Sequence, residues 1–126
     1  MKDKIKLWKW RKGRQGTGYE IFPILFCDFL KIDLYIVRYK KGSHIPWHFD
    51  PVEPKWEHHR LNIIFKDCAV GGKFLFDSRA VHLVKQGIFC KIRWTKFRPD
   101  QVEHMVTEVI EGSRTVISFG YVKKEK

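Results

Sequence analysis

Apolar and polar positions alternate with a period of two along most of the chain, and turn-forming clusters break the alternation at short intervals. Runs rich in Val, Ile, Phe and Tyr predict strands over 19–26, 33–40, 44–49, 60–66, 73–77, 87–94, 102–110 and 114–122. Between them stand Lys41-Gly42-Ser43, Pro51 to Pro54, Gly71-Gly72, Gln86-Gly87, Arg98-Pro99-Asp100 and Glu111-Gly112-Ser113. At most one or two short helices fit, near 26–31 or 79–85. About eight short strands without a long helix predict an all-β sandwich or jelly roll. Within 60–66 the alternation sets Asn62, Ile64 and Lys66 on one face. Within 114–120 it groups Arg114, Val116, Ser118 and Gly120. An arginine on an inward strand face requires an anionic or polar partner.

Composition narrows the class. The chain has 126 residues with 10 Phe, 5 Trp and 4 Tyr, enough for one domain with a real core. No linker or repeat divides it, so residues 1–126 form a single domain in this reading. No apolar run reaches the roughly 20 residues that span a bilayer, so no membrane partner is expected. Cys27, Cys68 and Cys90 are widely spaced and odd in number, and the start of the chain does not resemble a signal peptide. A cytoplasmic location is the expectation.

Charge distribution changes the picture further. The formal net charge is +11. Residues 1–16 hold seven Lys and Arg against one Asp, and residues 123–126 three Lys against one Glu. Residues 17–122 hold 15 positive and 12 negative groups. The excess therefore sits in a basic N-terminal arm, beside Trp8 and Trp10, and a basic tail. Such an arm suits phosphates and stacked bases, and equally a solvated terminus whose tryptophans cover the core.

Chemistry concentrates in His48-Phe49-Asp50. In an extended chain, residues two apart project to one side, so imidazole and carboxylate can hold one ion. A second histidine on a later strand would complete a two-histidine, one-carboxylate face that leaves adjacent positions open, the arrangement of non-haem Fe(II) oxygenases. His104 is the candidate. Ten residues on stands Arg114, placed to pair in two-point fashion with a co-substrate carboxylate. Asn62 faces either this site or a backbone group. His44, His58 and His59 are read as structural or surface residues, because the ligand set is complete without them. Trp47, Trp56 and Trp94 are candidates for an entrance or for packing.

Three segments resemble the prolyl 4-hydroxylase-like Fe(II)- and 2-oxoglutarate-dependent oxygenases, in their small bacterial or viral form. They are RYKKGSHIPWHFD (38–50), RLNIIFKDCAVGGKFLF (60–76) and HMVTEVIEGSRTVISF (104–119). The likeness spans about residues 35–122. It implies a near-minimal double-stranded β-helix (jelly roll) with Fe(II) on His48, Asp50 and His104. It also implies 2-oxoglutarate on Arg114, with the Tyr39 hydroxyl near the same carboxylate. The implied reaction is hydroxylation of a macromolecule, protein or nucleic acid, with release of succinate and CO2. Some relatives carry Ser two residues after the Arg. Val116 stands there in this chain, and Ser118 is the nearest hydroxyl on that face. The alternative reading is a non-catalytic jelly-roll module whose basic arm binds nucleic acid or an acidic protein. A cupin-type centre fits less well, because that pattern expects H-x-H followed by Glu.

Overall fold

The computed structural model describes residues 7–13 and 16–125. Half of residues 1–16 therefore fall outside the description, as does Lys126. Twelve strands are present among the described residues, and alternating side chains explain why they layer. They are β1 (Arg11–Lys12), β2 (Glu20–Cys27), β3 (Ile32–Tyr39), β4 (Ile45–His48), β5 (Trp56–Lys66) and β6 (Val70–Gly71). The rest are β7 (Phe74–Phe76), β8 (Val84–Phe89), β9 (Ile92–Phe97), β10 (His104–Val106), β11 (Val109–Glu111) and β12 (Arg114–Lys124).

One sheet has the order β1-β2-β3-β12-β5-β9-β8, a second β4-β10-β7, and a two-stranded ribbon pairs β11 with β6. Every pairing is antiparallel. The fold is a double-stranded β-helix of almost nothing but strands. Its core lies between the large sheet and the smaller ones, around Tyr19, Val37, Tyr39, Val106, Val109 and Val116. β12 is the central strand. Its first eight residues alternate buried and half-buried, which sends Arg114, Val116, Ser118 and Gly120 inward.

Several elements differ from the pattern-based expectation, each for a local reason. The segment 87–94 is a hairpin rather than one strand, reversing at Cys90 and Lys91 with φ of 51° and 67°. Residues 26–31 are no helix, since β2 runs to Cys27 and a tight turn through Lys31 (φ 55°) enters β3. The one short helix among the described residues is a 3₁₀ segment, Ser78–Leu83, capped by the Asp77 side chain accepting from the Arg79 N–H. The 102–110 region divides into β10 and β11. β5 begins at Trp56, four residues early, because β12 continues to Lys124 and pairs there. Lys31 and Lys124 lie over the Trp56 ring at 5.0 and 6.0 Å.

From the arm, Trp10 packs on Phe22 with ring centroids 5.1 Å apart. The Arg38 guanidinium lies over Trp10 at 3.8 Å. What is described of the arm thus rests on the sheet.

Candidate metal centre and co-substrate site

β4 and β10 are neighbours in register, and His48 is the Cα partner of His104. Fifty-six positions of sequence are closed by that one pairing. Asp50 lies just past β4, where its N–H donates to the Pro99 carbonyl at 2.8 Å. Pro99 belongs to the turn that delivers β10, since Gln101 and Val102 N–H groups both donate to Arg98 O. Both halves of the site therefore hang on a single turn.

The donor atoms of His48, Asp50 and His104 lie within 4.8 Å of one another. Asp50 Oδ1 is 3.5 Å from His48 Nε2, and Oδ2 is 3.6 Å from His104 Nε2. These separations are too long for good hydrogen bonds. Adjacent donors around a metal bonded at about 2.1 Å stand about 3.0 Å apart, so a small contraction gathers all three. The backbone fixes the tautomers. His48 Nδ1 lies 2.8 Å from Pro46 O, and His104 Nδ1 lies 2.8 Å from Val102 O. A carbonyl only accepts, so each Nδ1 carries the proton and each Nε2 lone pair turns to the carboxylate. Phe97 packs edge-on against His104 at 4.8 Å and holds its ring plane. This is the one such cluster of ligating side chains among the described residues.

Arg114 opens β12 directly opposite Tyr39 on β3. Its guanidinium lies 5.0 Å above the Tyr39 ring. Its Nε is buried without a hydrogen-bond partner, and the nearest carboxylate, Asp67 Oδ1, is 3.8 Å away. Asp67 is shared, because it also pairs with Arg93. A buried guanidinium nitrogen left without a partner is costly unless an anion completes it. The Gly71-Gly72 pair makes the packing feasible, since a Cβ on Gly72 would sit 3.2 Å from Arg114 Cδ. Burial pushes the Tyr39 hydroxyl up to about 12, against the opposing pull of Arg114. The phenol is thus a neutral hydrogen-bond donor at physiological pH.

A cavity of about 90 Å³ lies between the sheets, and its wall contains the triad, Tyr39, Asn62 and Ser118. Arg114 is not in that wall and stands against the face of Tyr39. The Ser118 hydroxyl donates to Asn62 Oδ1 at 2.6 Å and accepts from Arg60 Nη1 at 2.6 Å. Its proton is committed inside the protein, as is the Asn62 oxygen.

Arg60 is the residue that sequence reasoning missed. It lines the same cavity, nearly buried, and its Nη2 donates to both oxygens of Asp33 at 2.9 and 3.0 Å. Gly120 leaves room for it, because a Cβ there would stand 2.2 Å from Nη2. The signal was available, since Arg60 shares the inward face of Asn62 as Arg114 shares that of Val116. Beside it, burial and then the Arg60 charge hold His58 below the usual histidine range. His59 stacks on Tyr121 at 5.0 Å and meets Glu57 at 2.9 Å. Neither joins the triad, and neither does His44. Trp47 is half exposed next to His48. Trp94 instead lies over Gly87 in the β8–β9 hairpin and is not in the wall of the cavity that holds the triad.

Fold and site together define a double-stranded β-helix carrying a His-x-Asp…His triad. A solved structure with the same fold is the viral collagen prolyl hydroxylase of Paramecium bursaria Chlorella virus-1, in complex with 2OG. The similarity covers 90% of this chain and 84% of that one, with a TM-score of 0.55 and 18% sequence identity. No protein-family model and no curated protein matches the chain.

Proposed function

We propose that this chain is an Fe(II)- and 2-oxoglutarate-dependent oxygenase that hydroxylates a macromolecule, protein or nucleic acid. The convergence of three donor atoms, with both histidines held in the metal-binding tautomer, carries the reading. The residues fit the groups. His48, Asp50 and His104 would hold the iron, and the orphaned Arg114 Nε with the neutral Tyr39 hydroxyl would take a carboxylate of 2-oxoglutarate. Iron with 2-oxoglutarate and O2 supplies the oxidising power for inserting oxygen into a C–H bond. The chain's own part is positional. Pro46 and Val102 carbonyls orient the imidazoles, Phe97 and Phe74 exclude water beside His104, and Arg114 anchors the anion. Three free cysteines suit a reducing compartment, and a cytoplasmic location is part of the proposal.

The test is anaerobic addition of Fe(II) and 2-oxoglutarate. A broad visible charge-transfer band is expected from the wild type and none from His48→Ala. A wild type without the band, or a variant that keeps it, overturns the assignment. Succinate release across peptides and nucleic acids, followed by mass spectrometry for one added oxygen atom, then identifies the substrate class.

A further inference from the structure

Two arginines are buried among the described residues, and they are answered in different ways. Arg60 donates to both oxygens of Asp33 at 2.9 and 3.0 Å, a closed ion pair. Arg114 instead meets Asp67, whose Oδ1 stands 3.8 Å from Nε. That separation is beyond hydrogen-bonding reach, and Nε is left without a hydrogen-bond partner.

What holds Asp67 lies elsewhere. Its Oδ1 accepts from the Cys68 N–H at 2.9 Å, and its Oδ2 pairs with the Arg93 guanidinium. The loop that carries it is tied across the β6–β11 ribbon. There the Ala69 N–H donates to Glu111 O at 3.0 Å, and the Gly72 N–H to Glu108 O at 3.1 Å. Asp67 is therefore a fixed carboxylate that acts on Arg114 through space. Its charge has two opposite effects. It lowers the cost of keeping a guanidinium away from water. It also opposes a second carboxylate approaching the same guanidinium, because the cation is already partly neutralised. Arg93, Asp67 and Arg114 form a row that alternates in sign from surface to interior. Their side chains are 47%, 28% and 5% exposed in that order. Arg93 thus draws the carboxylate outward, against the pull of Arg114.

We propose that Asp67 is a built-in placeholder for the co-substrate carboxylate, and that the Arg93–Asp67–Arg114 row sets how tightly that carboxylate is held. The inference rests on the reading of Arg114 as the co-substrate anchor. With the site empty, Asp67 supports the buried charge of Arg114. Arg93 keeps Asp67 from closing onto Nε, so the guanidinium stays short of one contact. Asp67 acts through Arg114 and is a positioning residue. Because Asp67 is partly exposed, solvent screens its effect, which is about 3- to 10-fold in affinity.

The test is anaerobic titration of the Fe(II)-loaded chain with 2-oxoglutarate, read by the visible band, alongside urea unfolding of the ligand-free chain. Asp67→Asn keeps an acceptor for the Cys68 N–H and removes the charge. It is expected to bind 2-oxoglutarate about 3- to 10-fold more tightly while unfolding at lower urea. A purely structural residue would lower the urea midpoint without tightening the ligand. Arg93→Gln lets Asp67 close on Arg114 and is expected to weaken binding by a similar factor. In the Asp67→Asn/Arg93→Gln double variant that loss should disappear, because no carboxylate remains to be restrained. An Asp67→Asn chain that folds and binds no tighter, or an Arg93→Gln loss that persists in the double variant, overturns the proposal. Should Asp67→Asn not fold, Arg93→Lys decides. It keeps the charge and should retain the affinity that Arg93→Gln loses, and an equal loss in both overturns the proposal. A wild type without the band overturns the co-substrate reading itself, and this inference with it.

Discussion

Arg114 and Tyr39 illustrate what one buried contact asks of its surroundings. The guanidinium Nε has no hydrogen-bond partner and the phenol is held neutral, as the proposed co-substrate anchor requires. Arg114→Ala should raise the 2-oxoglutarate concentration needed for the visible band about 10- to 100-fold, the worth of one charge-assisted contact. Equilibrium titration of the band measures it. The Tyr39 phenol has its own pH signature. Its ionisation is raised in the folded state from 10.0 to about 12, so stability is intact below pH 10 and declines as pH rises towards 12. The loss is on the order of 2–3 kcal/mol and should vanish in Tyr39→Phe, as read by urea unfolding across that range. At this scale the sequence was informative where spacing carried the chemistry. His48, Asp50, His104 and Arg114 announce themselves by interval. Arg60 escaped because its partners, Asp33 and Ser118, are 27 and 58 positions away. Ser118 stands out in the sequence as the nearest hydroxyl on that face, and a strand pattern does not show that Arg60 and Asn62 engage it.

Among the elements, most strands were legible because one buried face imposes a two-residue period. The β8–β9 hairpin was not. Two-residue turns with φ above zero at both positions usually announce themselves by Asn-Gly or Asp-Gly. This one uses Cys90-Lys91 inside an apolar run, so 87–94 reads as unbroken. The β6–β11 ribbon shows the opposite case, where glycine is indispensable. Gly71 has φ of 83°, and an added Cβ would sit 2.0 Å from Glu108 O. Gly71→Ala should cost about 2–4 kcal/mol, the left-handed penalty plus displacement of backbone. Gly42→Ala has a similar φ but open space, and should cost only about 1–2 kcal/mol. Chemical denaturation of the two variants side by side checks the difference.

For the whole molecule, the economy of the fold stands out. A single core holds both candidate subsites, and what the described residues add beyond the barrel is short. Because the candidate triad comes together only when β4 and β10 are paired, a metal ion held there would favour the folded chain over the unfolded one. Co(II), a redox-stable probe, should therefore raise the unfolding free energy by about 2.7 kcal/mol at 100 times its dissociation constant. His104→Ala should abolish that gain in thermal melts. The same pairing has a kinetic side. His48 meets His104 only after the intervening 55 residues have been laid down and the turn at Pro99 has closed on Asp50. Closing so long a loop is an event that local hairpins such as β8–β9 need not await. The candidate triad is therefore expected to come together late in assembly. Chains caught earlier, at the ribosome or during refolding, are then expected to hold local hairpins while the His48–His104 pairing is still open.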